Sequence, residues 1–179
     1  MPKKLGLGLL FAGALLTGAP AFAYTSPGSP TGYVNDFAHV LSDSTKQSLE
    51  TELTNFNATT SNEIAVAIVP NMGGDYIENY AVQLFKEWGI GKKDKDNGVL
   101  LVVVSEEHKL RIEVGYGLEG ALPDSVAQRI LDNEMTPLLK ANDYDGALAA
   151  GVHAIEAATQ GEYIPSSSID VRKTFEWIF

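Results

Sequence analysis

Cysteine is missing from the 179 residues. Neither a disulfide nor a thiolate metal centre is available, and the fold has to rest on its apolar core. Positive charge is also in short supply: 13 lysines and arginines stand against 23 acids, a net charge of −10. An acidic chain repels phosphate backbones and anionic lipid surfaces, so nucleic acid is not an expected partner and cations are the natural ligands. His39, His108 and His153 lie in separate segments without metal-ligand spacing, and read as surface or packing residues. Ser166 to Ser168 sit in a polar linker with no base beside them, so no serine nucleophile is evident. There is no internal repeat and no basic, aromatic-rich surface of the kind that stacks nucleotides.

What is present begins with Lys3 and Lys4, an uncharged apolar stretch, and Ala21-Phe22-Ala23. A basic start, a short apolar run and an A-x-A ending describe a secretory signal peptide over residues 1–23, cleaved after Ala23; an uncleaved anchor is the alternative. Either way the rest of the chain is expected outside the cytoplasm, in the periplasm or another extracytoplasmic space. Removing those residues leaves eleven basic side chains against the same 23 acids, a net charge of −12. Residues 24–32, "YTSPGSPTG", form a turn-rich leader expected to be extended or mobile. Roughly 135 residues then make one domain. Residues 164–179 are a linker and an aromatic-rich tail, either the lead-in to a truncated membrane anchor or a surface segment.

Within the domain, Ser42 or Asp43 is placed to cap a helix carrying Leu49, Leu53 and Phe56 on one face. "EIAVAIVP", Glu63 to Pro70, reads as a strand buried on both faces. Asp75 followed by Glu78 resembles a capping box, opening a helix whose stripe runs Ile77, Tyr80, Ala81, Leu84, Phe85, Trp88 up to Gly89. "VLLVVV", Val99 to Val104, is a second buried strand, and "LRIEVGYG" alternates as an edge strand joined to it in an antiparallel hairpin. Helices follow from about Pro123 toward Pro137 and from Asp143 to about Thr159. That order predicts an α/β fold, with a small mixed sheet covered by helices on both faces and its first two strands parallel.

Two motifs invite a functional reading and fail it. Gly115, Gly117 and Gly120 spell G-x-G-x-x-G, but a dinucleotide site needs them between the first strand and helix of a βαβ unit, whereas here a hairpin arm precedes and only helices follow. The glycines are better read as permitting a tight backbone path. Asp94 to Gly98, "DKDNG", resembles an EF-hand loop, yet its glycine comes one place early, Ser105 stands where the bidentate glutamate belongs, and a strand follows. Taken together they say more. In an antiparallel hairpin the loop after Val114 adjoins the loop before Val99, bringing Asp94, Asp96 and Asn97 toward Glu119 and Asp124. Such oxygen ligands suit Ca²⁺ or Mg²⁺. The alternative is that Asp124 caps its helix, Asp94 and Asp96 pair with Lys92, Lys93 and Lys95, and Glu119 is solvated.

"YVNDFAHVLS", "EIAVAIVP", "YAVQLFKEWGIGKKDKDNGVLLVVV", "LRIEVGYGLEGALPD" and "NDYDGALAAGV" resemble, in order, the blocks of the TPM-domain family, and the match spans residues 33–163. The resemblance implies a three-layer α/β/α sandwich. It also implies export, since members are typically exported bacterial proteins, often with a later membrane segment, and plant relatives occupy the thylakoid lumen. Some members are described as binding calcium or other divalent ions, one plant member as an acid phosphatase linked to photosystem repair, and another relative as an auxiliary protein of a receptor. Through the resemblance Asp36 joins Asp96, Glu119 and Asp124 as a site residue. A full anchor and glycine-rich tail are not in the sequence, which leaves attachment through residues beyond Phe179 open.

Two functions follow as expectations. One is a binding module that takes a divalent metal at its acidic loops and serves the assembly or maintenance of a membrane or envelope protein. The other is a metal-assisted acid phosphatase, in which the ion polarises a phosphoryl oxygen and Lys92, Lys93, Lys95 or the helix start near Asp124 holds the phosphate.

Overall fold

A computed structural model describes residues 24–165. The expected signal peptide over residues 1–23 and the tail from residue 166 onward lie outside the described residues. No helix among those described is long and apolar enough to cross a membrane.

The apolar runs become the centre of a four-stranded sheet with order β1-β2-β3-β4. The strands are β1 (Val34–Asp36), β2 (Glu63–Val69), β3 (Gly98–Val104) and β4 (Lys109–Val114). The first three are parallel and β4 returns antiparallel to β3, with Glu63 opposite Gly98 and Val99 opposite Val114. Because side chains alternate across a strand, the continuous apolarity of β2 and β3 fills two cores. Ile64, Val66, Ile68, Val99, Leu101 and Val103 face one way, and Ala65, Ala67, Val69, Leu100, Val102 and Val104 the other. The first core is covered by α1 (Asp43–Thr60), α3 (Asp124–Ile130) and α5 (Tyr144–Thr159), the second by α2 (Ile77–Trp88). The α/β/α sandwich with a mixed sheet is therefore observed.

Local signals account for most boundaries. The Ser42 side chain caps α1 by accepting from the Thr45 amide, and Gly89 closes α2 in the left-handed conformation at φ 63°. The start of α2 departs from the capping-box reading. Asp75 lies one residue ahead of the N-cap Tyr76, is buried, and spends its carboxylate on the Tyr76 amide and the Asn79 side chain. The helix expected to stop near Pro137 continues through a π-helical turn (Leu131–Met135) into α4 (Thr136–Lys140). The wider turn ahead of Pro137 eases the loss of its amide donor.

The strand β1 leaves no mark in the sequence pattern, because three residues are too few to show a period. Nor does the leader hang free. It is extended but fastened to α2, with the Tyr24 ring 5.3 Å from that of Tyr80 and the Trp88 indole donating to the Gly28 carbonyl at 2.9 Å. The hydroxyls of Ser26 and Tyr24 both donate to the Glu87 carboxylate. These bonds, Ser26's first, hold Glu87 below the usual carboxylate range. A carboxylate with a depressed folded pKa stabilises its contact above the unfolded value and loses that stabilisation as pH falls through the folded one. The leader is thus expected to stay docked at neutral pH and to loosen in acid, as the pH falls below the ordinary carboxylate range. The protection factor of the Gly28 amide, whose hydrogen goes to Ser26 Oγ, should fall there once the intrinsic pH dependence of exchange is divided out, while Glu87→Gln should remove that pH dependence.

Candidate functional site

The antiparallel pairing of β3 and β4 carries the chain from Val114 back beside the loop that precedes Val99. Their contact is closer than ordinary loop packing. The Gly115 amide donates to the Gly98 carbonyl at 2.8 Å and the Gly117 amide to the Asp96 carbonyl at 3.0 Å. A Cβ on Gly115 would stand 2.2 Å from the Asp96 oxygen, and one on Gly117 would stand 2.0 Å from the Lys95 oxygen. The tight backbone path expected of the glycines is here a backbone-to-backbone seam between residues 95–98 and 115–118.

Asn97 anchors the near side of the seam. Its side chain is buried, its Nδ2 donates to the Ser61 carbonyl, and its Oδ1 accepts the Lys92 amide at 3.0 Å. Its main-chain oxygen accepts the Glu63 amide at 2.9 Å. Asn97 thus sits among the expected acids, with its side-chain oxygen already engaged in closing the loop. Asp96, in the left-handed conformation at φ 47°, turns the chain immediately before it.

Asp94, Asp96, Glu119 and Asp124 are all exposed; the first two lie in the loop before β3, Glu119 follows the turn after β4, and Asp124 opens α3. Among the described residues none of them pairs with Lys92, Lys93 or Lys95, since the ion pairs are Arg111 with Glu113 and His153 with Glu52. Asp124 does not cap α3 either. Pro123 is the N-cap, no side chain caps the helix, and the Pro123 carbonyl receives the Val126 and Ala127 amides. Free carboxylates on two apposed loops are a donor set that fits a hard divalent cation. They are not gathered into a preformed cage, because among the described residues three His, Asp or Glu ligand atoms lie within 4.8 Å of one another only at Glu52, His153 and Glu156.

Asp36 is not part of this end. The strand β1 runs parallel to β2 and places Asp36 opposite Ile68, whereas Asn97 immediately precedes the residue opposite Glu63. Five strand residues separate those levels, roughly 16 Å along the sheet. There Asp36 Oδ2 accepts the Leu41 amide at 2.9 Å, shaping the turn into α1, and Oδ1 is buried without a partner. Grouping Asp36 with the other acids is therefore corrected in geometry, by the parallel direction of β1. A cleft of about 480 Å³, lined by His108, Thr136, Lys140, Asn142 and Tyr144 among others, contains none of the expected site residues.

The TPM-domain model matches residues 34–158. The chain belongs to the TPM-domain family. Among solved structures it is similar to the N-terminal domain of a Porphyromonas gingivalis protein ("P.gingivalis"), at 34% identity and TM-score 0.68, over 73% of this chain and 83% of that one. The N-terminal domain of cg2496 from Corynebacterium glutamicum is 19% identical, with TM-score 0.57 over 83% and 91% of the two chains. The BA42 protein of Bizionia argentinensis is also 19% identical, with TM-score 0.60 over 73% and 89%. At that identity the last two speak to the fold alone. No curated protein matches the chain.

Proposed function

We propose that this TPM domain is an exported binding module that takes Ca²⁺ or Mg²⁺ between its two apposed acidic loops and serves the assembly or maintenance of a membrane or envelope protein. The observation that supports this reading is the glycine seam, which joins the backbone of residues 95–98 to that of 115–117; Asp94 and Asp96 belong to the first segment, while Glu119 and Asp124 follow the second. A cation drawing these carboxylates together would offset their mutual repulsion and order the two loops as one surface. Attachment to a membrane partner fits an acidic surface on which neither loop carries a histidine or cysteine. The alternative of an acid phosphatase would assign the same ion to a phosphoryl oxygen, with the loop carboxylates as the available bases.

Calorimetric titration with Ca²⁺ and Mg²⁺ tests the proposal. Saturable binding is expected, weakened about tenfold or more, some 1.4 kcal/mol, in Asp96→Ala and in Glu119→Ala. Asp36→Ala should bind as the native chain does. Equal affinity in all variants would remove the loops from consideration. Hydrolysis of a phosphomonoester that vanishes in Asp96→Ala and Asp124→Ala would move the assignment to the phosphatase.

A further inference from the structure

On the opposite side of the domain from α2, the two long helices of the first core, α1 and α5, bring three ligand-bearing side chains together. Glu52 comes from α1, while His153 and Glu156 come from α5 at a spacing of three, one above the other on the helix surface. One ligand atom from each lies within 4.8 Å of the others. His153 Nδ1 is 3.2 Å from Glu52 Oε1, with the imidazole largely exposed and the glutamate side chain 23% exposed.

The inner atoms of this group lack the donors that burial normally demands. Glu52 Oε1 and Glu156 Oε1 are both shut off from solvent without an aligned donor from another residue, and the two carboxyl groups face each other within hydrogen-bond reach. His153 approaches Glu52 at ion-pair distance without the alignment of an N–H···O bond. Unpaired buried oxygens are costly. The one imidazole pairs with Glu52, and among the described residues no cation pairs with Glu156.

We infer that Glu52, His153 and Glu156 form a binding site for Zn²⁺ or a similar first-row divalent ion, clamping α1 to α5. One imidazole and two carboxylates suit such an ion better than Ca²⁺, which takes six to eight oxygens. Zn–N and Zn–O bonds of about 2.0–2.2 Å put tetrahedral ligands roughly 3.4 Å apart, close to the 3.2 Å between Nδ1 and Oε1. Small side-chain rotations of Glu156 complete the set. Three protein ligands leave a fourth position for water or a donor from another molecule. The site shares no residue with the acidic loops.

The test uses the purified chain, stripped with a chelator and titrated with ZnCl₂ by calorimetry at about pH 8, since metal binding competes with protons for its ligands. One equivalent of Zn²⁺ is expected to bind and to raise the melting temperature, and Co²⁺ in its place should give the visible absorption of a four- or five-coordinate site. His153→Ala and Glu156→Gln should each weaken binding by more than the roughly 10- to 100-fold typical of losing an outer-shell partner. The Asp96→Ala/Asp124→Ala double variant should bind Zn²⁺ as the native chain does. His153 is exposed, so the metal-free His153→Ala protein should melt as the metal-free native protein does, which separates lost ligation from lost fold. Undiminished Zn²⁺ affinity in His153→Ala, or no saturable binding by the native chain, would reduce the trio to a surface ion pair and overturn the inference.

Discussion

Gly117→Ala is expected to lower the melting temperature by roughly 10 °C, although it adds one methyl group at an exposed position in a loop. Gly117 does not occupy the left-handed region, so alanine carries no backbone penalty there, and an exposed glycine of that kind is usually stabilised by the change through a stiffer unfolded chain. The sign reverses here because the new Cβ would lie 2.0 Å from the Lys95 carbonyl oxygen. That oxygen belongs to backbone and cannot swing aside like a side chain. Withdrawing the loop would stretch the bond from the Gly117 amide to the Asp96 carbonyl and disturb the turn in which the Lys95 and Asp96 amides both donate to the Lys92 carbonyl. Overpacking of this sort costs about 2–3 kcal/mol, and a domain of this size loses a few degrees per kcal/mol. Gly120→Ala, in the same motif, meets nothing within 4 Å and should be neutral or stabilising by up to about 1 kcal/mol. Thermal melts that show the two variants alike would remove the seam as the reason for the glycines. If the proposed cation joins the two loops, Gly117→Ala should also weaken Ca²⁺ binding while Gly120→Ala leaves it intact.

The contrast between those glycines shows where sequence reading stops. The spacing of Gly115, Gly117 and Gly120 marks a tight path, but which carbonyls they approach depends on the register of β3 with β4, and the apolar pattern fixes that register only through Val99 and Val114. Long apolar runs are legible because both faces of β2 and β3 are buried, so nearly every residue has to be apolar. The stripe of α2 is legible because its buried residues, Tyr80, Ala81 and Leu84, repeat at helical spacing. The strand β1 is opaque, because its hydrogen bonds depend on an edge of β2 supplied about thirty residues later. Missing it hides the position of Asp36 as well, since only the parallel direction of β1 places that carboxylate at the far end of the sheet. The leader misleads in a similar way: its proline, serine and glycine content signals an extended chain, while its docking depends on Glu87 and Trp88, some sixty residues away. Glu52 and His153 are about a hundred residues apart, so no local motif announces their meeting, and a histidine without a nearby partner in sequence reads as a surface residue.

Asn97 is the position where a structural role and a metal-binding role make opposite predictions. Its amide joins the end of α1, through Ser61 in the left-handed conformation at φ 61°, to the loop between α2 and β3. Asn97→Ala leaves the Lys92 amide and the Ser61 carbonyl without these partners. These bonds are only part-buried, so at the low end of the about 1–3 kcal/mol for each group left unsatisfied the variant is expected to lose roughly 2 kcal/mol, a sizeable share of the 5–15 kcal/mol that holds a typical domain together. Asn97→Asp is the sharper substitution. It keeps the shape and the acceptor for Lys92, loses the donor, and sets a negative charge against the Ser61 oxygen. Its destabilisation should be comparable to that of alanine at neutral pH and should shrink in acid, where a protonated carboxyl regains a donor; denaturant melts at the two pH values measure this. A cation ligand would behave differently, because a carboxylate in place of an amide raises affinity for Ca²⁺, and saturating Ca²⁺ would then restore the lost stability through preferential binding to the native state. The buried position of Asn97 and the engagement of its Oδ1 by Lys92 predict no such rescue. Restoration of the Asn97→Asp melt by Ca²⁺ would return Asn97 to the ligand set beside Asp96, Glu119 and Asp124; its absence would make Asn97 the brace that holds their loop in place.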